Sequence, residues 1–193
     1  DSRGCEKLVN QLIEYDQRLY KDALTGVYNR RYFEEQIKKK NENAGVAVID
    51  MDDFKLCNDT LGHSVGDAAL RTMVKTVKHC IRKTDILIRY GGDEFILILE
   101  NIKKENFFNK LVQIQSDIHA ANVPGFPKLQ LSVSIGGVIS SKETVEHAVM
   151  QADKLMYQAK EHKNMVVTED NASYVAPGVA NRKARQQILI VDD

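Results

Sequence analysis

The feature that most restricts the fold is the diglycine Gly91-Gly92, set between two apolar runs of strand length. Asp85 to Arg89 and Phe95 to Leu99 are joined so tightly that they can only lie antiparallel, as a hairpin. Parallel neighbours need a long crossover, so a doubly wound, all-parallel sheet is excluded. The rest of the chain arranges itself around this hairpin. Val46-Ala47-Val48-Ile49 reads as a short buried strand that runs straight into Asp50, Asp52 and Asp53. Leu129 to Ile139 reads as another, with Leu131, Val133 and Ile135 on one face and Ser132 and Ser134 on the other. Met165 to Thr168 is the last strand of the set.

Helical periodicity fills the intervals. Asn29 can cap a helix running to about Lys40, with Glu34 and Glu35 early and Lys38, Lys39 and Lys40 late, as the helix dipole prefers. The lysine run reads as a solvated face, and Asn41 to Gly45 breaks the helix. Asp67 to about Ile81 buries Leu70, Met73, Val74 and Val77 on one side. Residues 105–121 and Val145 to about Glu161 complete the helices. The order is strand, helix, hairpin, helix, strand, helix, strand, which predicts an antiparallel or mixed sheet flanked by helices.

Composition narrows the function classes. The chain has 193 residues, 27 Lys+Arg against 27 Asp+Glu, and 43% hydrophobic residues. That hydrophobic share fits a globular domain and rules out wholesale disorder. Zero net charge argues against general nucleic-acid or anionic-membrane binding, which rests on excess Lys and Arg. No apolar run approaches the ~20 residues of a spanning helix. Asp1, Glu6, Asn10 and Gln11 interrupt any secretory signal core. Cys5, Cys57 and Cys80 fit no metal or disulfide spacing and read as reduced thiols of a cytoplasmic protein.

The two ends differ from the middle. Leu8, Leu12, Tyr15 and Leu19 form one helical stripe at coiled-coil pitch. It can pack on its own domain or pair with its copy and set the spacing of two protomers. From Glu169 to about Gln187 the chain is polar and reads as a linker. Ile188-Leu189-Ile190-Val191 then begins a fresh apolar strand ending in Asp192-Asp193. Both ends read as cut from a longer polypeptide.

Two acidic loci carry the chemistry: Asp50-Met51-Asp52-Asp53 at a strand end, and Asp93-Glu94 after the glycine turn. Clustered carboxylates repel unless a cation or basic partner is present. Oxygen ligands without a Cys/His array point to Mg²⁺ or Mn²⁺ rather than zinc. Strand alternation puts Asp50 and Asp52 on one face and Asp53 on the other. If the first strand lies beside the hairpin, Asp50 and Asp93 can hold divalent ions against a triphosphate, as in nucleotidyl transfer. Neither a G-x-x-x-x-G-K-[ST] loop nor a G-x-G-x-x-G motif occurs. A nucleotide would therefore be held by metal, backbone amides and scattered polar groups.

Five blocks in order now carry a family resemblance: Asp22-Ala23-Leu24-Thr25-Gly26 through Arg31; Ile49-Asp50-Met51-Asp52-Asp53-Phe54-Lys55 with Asn58-Asp59; Gly62-His63 and Gly66-Asp67; Arg89-Tyr90-Gly91-Gly92-Asp93-Glu94-Phe95; and Ala152-Asp153 with Tyr157-Gln158-Ala159-Lys160. From about Asp22 to Val167 the sequence resembles the GGDEF family of diguanylate cyclases. The resemblance implies an α+β, ferredoxin-like core of the palm type seen in nucleotidyl cyclases, a mostly antiparallel central sheet flanked by helices. The chain then divides into a signalling or linker helix (1–21), the cyclase domain (22–168), a linker (169–187) and a last segment (188–193) that separately resembles the first strand and acidic pair of a response-regulator receiver domain. The GGDEF resemblance also implies a reaction, two GTP giving cyclic di-GMP and two pyrophosphates, in a bacterial, cytoplasmic signalling protein regulated by receiver domains.

By that resemblance Asp50, the Met51 carbonyl and Asp93 would hold the metal. Asp93 would assist deprotonation of the attacking 3′-hydroxyl, and Glu94 would complete the acidic turn. Lys55 would neutralise charge building on the phosphates, and Lys160 would bind the triphosphate. Asn58 and Asp67 would read the guanine edge. Leu24 and Leu70 would wall the base, with Phe54 beside them. His63 would either fix its loop or touch the ligand. After Lys160 the sequence departs from the family: Glu161-His162-Lys163-Asn164 is shorter, and Lys163 stands where an arginine's planar fork is usual. Arg82-Lys83-Thr84-Asp85 matches the family's RxxD site for inhibition by product, and otherwise reads as a surface pair. One domain holds one GTP, so the reaction implies a homodimer. The alternative is a catalytically silent module that binds GTP or cyclic di-GMP as a sensor.

Overall fold

The computed structural model describes residues 2–174 and the short strand Ile188–Leu189. The chain opens with helix α1 (Ser2–Tyr20), then strand β1 (Tyr28–Asn29) and the single helical turn α2 (Arg30–Tyr32), which passes into a π-helical turn, Phe33–Ile37. Strand β2 (Ala44–Met51) leads to helices α3 (Phe54–Leu61) and α4 (His63–Cys80). The hairpin is β3 (Ile86–Arg89) and β4 (Glu94–Glu100), followed by α5 (Lys104–Ala120), β5 (Val133–Ser140) and α6 (Val145–His162). Strands β6 (Met165–Thr168), β7 (Ala172–Tyr174) and β8 (Ile188–Leu189) end the described chain.

The strands form one mixed sheet in the order β1-β3-β4-β2-β5-β6-β7-β8. Among the described strands β1 with β3 and β5 with β6 run parallel and the other pairs are antiparallel. The predicted hairpin and element order are therefore present, and β2 lies at the centre beside β4.

Alternation along β2 divides the core. Ala47, Ile49 and Met51 face one side, where they join Phe95, Leu97, Leu70, Met73, Leu111 and Ile114 under α4 and α5. Val46 and Val48 face the other side with Val138, Ala148, Ala152 and Met156 under α6. Phe33 and Ile37 of the π turn cover Ile88, Ile96 and Ile98 next to it. Gly136 sets the height of α6: a Cβ there would stand 2.1 Å from the Ala152 carbonyl oxygen and the Met156 nitrogen.

Several boundaries differ from expectation. Asn29 caps its helix, its Oδ1 accepting from the Tyr32 amide at 3.0 Å, but the helix widens into the π turn and ends at Ile37, short of Lys40. Gly45 is inside β2, not in a break, because the Phe107 ring occupies the place of its side chain. Helix α3 was not expected: its polar residues and the exposed Leu56 and Leu61 give no clean buried stripe. Helix α4 begins at His63 rather than Asp67, and β5 begins at Val133 rather than Leu129. Strand β7 forms in the stretch expected as linker and pairs with β6; Ile188–Leu189 then pairs with β7. The remaining linker residues, 175–187, and the acidic pair Asp192-Asp193 lie outside the described residues.

Helix α1 buries none of its residues. Leu8, Leu12 and Tyr15 are each more than 60% exposed, with Val9 and Ile13 beside them about half exposed. Among the described residues Leu8, Leu12 and Tyr15 do not pack on the domain, which was one of the two expectations for the stripe, while Leu19 is half-buried. The last residues of α1 are tied to the domain, through Tyr20 donating to Glu35 Oε2 at 2.9 Å and meeting Tyr32 edge-on. Among the described residues no helix is long and apolar enough to cross a membrane.

Candidate active site

The same alternation that builds the core delivers the acids. After Val46 and Val48, Asp50 points to the α6 face, and its register partners are Glu94 on β4 and Ser134 on β5. Helix α6 brings Lys160, whose ammonium donates to Asp50 Oδ2 at 2.8 Å. Met51 donates its amide to the Asp93 carbonyl at 3.1 Å, tying the glycine turn to the strand end. The hairpin and β2 thus place Asp50, Asp93 and Glu94 together, as the sequence predicted.

The electrostatics are unbalanced. Asp50 is only 5% exposed, and its Oδ1 is buried with no hydrogen-bond partner among the described residues. Burial pushes its carboxyl up to about 6; the Lys160 hydrogen bond opposes this, and the Asp93 and Asp52 charges add to it. Burial also raises Glu94, helped by Asp153, Asp50 and Asp93. Asp153 on α6 is raised by burial against the pull of Lys160. For Lys160 itself burial disfavours the ammonium, but the Asp50 hydrogen bond with the Asp50 and Asp93 charges wins, and its pKa rises. One ammonium serves several carboxyls, and one carboxylate oxygen points at nothing. A divalent cation satisfies both deficits. Among the described residues no trio of His, Cys, Asp or Glu side chains converges on one point. A cation here would therefore draw on Asp50, Asp93, the Met51 carbonyl and oxygens from nucleotide or water, a mixed set that Mg²⁺ commonly takes.

Asp52 plays a different part from its neighbour. Its Oδ1 accepts from Ser134 Oγ at 2.6 Å, and its Oδ2 accepts from Ser132 Oγ and from the Asn164 amide at 2.8 Å. It lies on the Asp50 side of the sheet, as alternation predicted, yet its oxygens are occupied. It fastens the end of β2 to β5 and to the corner after α6. Asn164 is held from behind by the buried Gln115, whose Nε2 donates to the Asn164 Oδ1 at 3.2 Å.

The predicted base-reading residues lie at the α3–α4 corner. Asn58 and Gly66 are in such close contact that a Cβ on Gly66 would overlap Asn58 Oδ1, with the Phe54 ring next to it. Asp67 follows Gly66 directly on α4. Asn58 Oδ1 is buried without a hydrogen-bond partner among the described residues. Leu24 packs at the edge of the core, and its carbonyl accepts from Arg71 Nε at 3.4 Å, linking its loop to α4. Leu70 is only 1% exposed and belongs to the core under α4, where it is not open to a ligand as expected. Lys55 and His63 are exposed. Lys163 goes elsewhere: its ammonium meets both oxygens of Asp53, at 2.8 and 2.9 Å, joining two corners of positive φ.

The sequence reading missed a tether behind the glycine turn. Arg89 donates to Asp22 at 3.2 Å and to the Gly92 carbonyl at 2.7 Å. Asp22 in turn accepts from the Thr25 amide at 2.9 Å and from its hydroxyl at 2.6 Å. Burial opposes the Asp22 charge, but the Thr25 and Arg89 bonds prevail and its pKa is lowered. Asp22 and Arg89 are remote in sequence, and only their places in the two motif blocks hinted at a link.

The RxxD pair closes on itself. The Asp85 side chain, 3% exposed, accepts from the Arg82 amide at 2.8 Å, from Arg82 Nη2 at 3.2 Å and from the Glu100 amide at 3.1 Å. Arg82 also donates to the Glu100 carbonyl. A 370 Å³ cavity opens beside the pair, with Lys103, Asn106 and Lys110 on its α5 side.

Comparison with known proteins converges on this segment. The family model described as "Diguanylate cyclase, GGDEF domain" matches residues 19–165. The chain is 30% identical over 163 residues to the probable diguanylate cyclase DgcC of Escherichia coli K12, covering 78% of this chain and 44% of DgcC. It is 36% identical over 149 residues to the diguanylate cyclase DgcS of Shewanella oneidensis, covering 72% of this chain and 49% of DgcS. The chain thus spans less than half the length of these curated relatives. The structure is similar to diguanylate cyclase SiaD of Pseudomonas aeruginosa, solved with its activator SiaC, at a TM-score of 0.74 and 27% identity over 86% of this chain and 68% of SiaD. The matched span contains every strand that frames the acidic cluster, and on that ground the chain belongs to the GGDEF diguanylate cyclase domain family.

Proposed function

We propose that this chain condenses two GTP into cyclic di-GMP with release of two pyrophosphates. One observation carries the reading: Asp50 is buried beside Asp93 and Glu94, with an oxygen unpartnered among the described residues and Lys160 as its ammonium partner. A structural strand end has no use for so costly an arrangement.

Bound Mg²⁺ or Mn²⁺, held by Asp50, Asp93 and the Met51 carbonyl, would lower the pKa of the attacking hydroxyl and steady the triphosphate. The chain's own residues do the rest. Asp93 accepts the hydrogen bond of the 3′-hydroxyl and takes its proton. Glu94, beside Asp50 in register, keeps the acidic turn in place. Lys160 moves between Asp50 and the phosphates, and exposed Lys55 meets charge developing on them. Asp67 accepts from the guanine N1 and N2 donors, and Asn58 offers its amide to N3 and N2, a polarity that rejects adenine. Phe54 and Leu24 hold the base, Leu70 backs them, and His63 sits at the rim. Lys163 reaches the phosphates only by leaving Asp53, so this grip is weaker than an arginine fork.

Each domain holds one GTP, and two must face each other. The exposed stripe of α1 suits a second copy of itself, paired as a coiled coil. Product feedback would use the cavity beside Arg82 and Asp85, with Lys110 on α5 as the further cation. Because Asp85 is tied up at rest, product must compete with its internal bonds, and weak inhibition is expected. The stretch 188–193 would open a receiver domain that regulates assembly, and a GTP-consuming domain with three free thiols would work in the reducing cytoplasm.

The direct test is Asp93→Ala in the chain supplied with GTP and Mg²⁺. Turnover is expected to vanish while cyclic di-GMP binding at Arg82 and Asp85 survives. Turnover that persists in the variant would refute the site. A wild-type chain that binds product yet makes none would favour the sensor reading.

A further inference from the structure

A second cavity, of 340 Å³, lies between the end of α1, β1 and the end of α4. It shares Arg82 and Asp85 with the product cavity but has its own walls. Lys21, Lys78 and Lys83 line it over an apolar floor of Val27, Ile81 and Leu87.

We propose that this cavity is an anion site for a phosphate monoester of nucleoside-monophosphate size, gripped by Lys21, Lys78 and Lys83 with Arg82 at its margin. Lys21 is held in place: its ammonium stands 3.5 Å over the Tyr28 ring, whose other neighbour is Tyr32, stacked at 3.7 Å. Burial lowers the Lys21 pKa, the Lys78 charge lowers it further, and Asp16 on α1 opposes both. Asp85, the carboxylate in the cavity wall, is engaged by Arg82 and the Glu100 amide. The helix dipole of α4 favours a cation at its end and accounts for Lys78, but not for Lys21 and Lys83 lining the same cavity. A dianion relieves that repulsion and gains several charge-assisted hydrogen bonds. Inorganic phosphate would leave the apolar floor bare, whereas a nucleoside body covers it, and the volume is in the range of small-ligand pockets. Lys21 directly precedes Asp22, so the site stands at the joint between α1 and the tether of the glycine turn.

The test is a two-dimensional NMR titration of the ¹⁵N-labelled chain with AMP, at constant ionic strength and without divalent metal. AMP is chosen because adenine does not suit the guanine-reading corner. Saturable shifts are expected at Val27, Tyr28, Ile81 and Leu87. Lys78→Gln, an exposed change, is expected to weaken binding about tenfold, and Lys21→Gln combined with it to abolish binding. Inorganic phosphate is expected to bind more weakly at the same amides; equal affinity would overturn the organic part of the assignment. Absence of saturation, shifts confined to the acidic cluster, or unchanged affinity in both lysine variants would overturn the site. None of these readouts needs turnover, so the outcome is independent of the proposed reaction.

Discussion

Asp50→Asn is expected to stabilise the metal-free chain while destroying its activity. The Asp50 carboxyl is raised from an ordinary 3.8 to about 6 in the folded protein. The folded state therefore holds the proton more tightly than the unfolded chain. Above about pH 6 the ionised group costs folding free energy; as pH falls through 6 towards 3.8 the cost disappears. At ~1.36 kcal/mol per pH unit the full penalty is roughly 3 kcal/mol at pH 7.5. An asparagine keeps an acceptor for Lys160, replaces the buried charge with a neutral amide, and turns a donor towards the neighbouring acids. Allowing for imperfect geometry, the gain is about 1–3 kcal/mol, or a rise in Tm of roughly 3–10 °C. Thermal unfolding at pH 7.5 and pH 4 without metal reads it out, with the difference shrinking at pH 4. Mg²⁺ should raise the wild-type Tm through binding to the native state and leave the variant unmoved. A variant less stable than wild type at pH 7.5, or a gain independent of pH, would refute the reasoning.

Three further changes probe the frame around the cluster. Asp52→Ala strands two hydroxyls and one amide and is expected to cost about 2 kcal/mol in chemical denaturation, with Asp52→Asn recovering part of it. Gly136→Ala drives a methyl into the α6 backbone and is expected to cost roughly 3 kcal/mol or more; a near-neutral result would mean α6 lifts freely. Asp22→Asn keeps an acceptor for Thr25 but removes the charge opposite Arg89. Its depressed carboxyl stabilises the fold above the ordinary carboxylate range, and that support is lost as pH falls through the folded pKa. The variant should therefore lose about 1 kcal/mol at neutral pH and several-fold in turnover with GTP affinity retained.

Legibility in the sequence followed from how local each signal was. The hairpin at Gly91-Gly92, the apolar run into Asp50, the buried stripe of α4 and the helical span of α6 are local patterns, and the structure has all of them. The meeting of Asp50 with Glu94 could be anticipated once β2 was placed beside the hairpin. Helix α3 was hidden because Leu56 and Leu61 face solvent, so no buried stripe marks it. The π turn at Phe33–Ile37 was hidden because it keeps Phe33 and Ile37 buried much as an ordinary helix would. The work of Asp52, the Asp22–Arg89–Gly92 tether and the pairing of Lys163 with Asp53 depend on contacts between distant segments. So does the lining of one cavity by Lys21, Lys78 and Lys83. No periodicity or short spacing encodes such contacts.

In the proposed reaction two acidic clusters, each holding one GTP, must meet to make one product. The rate of cyclic di-GMP formation from GTP and Mg²⁺, followed across a wide range of chain concentration, tests it most directly. The account predicts product, no product from Asp93→Ala, and a rate that rises faster than linearly while the chains are monomeric. It would be contradicted by no product at any concentration from chains that bind GTP, or by a strictly linear rate from chains shown to be monomers.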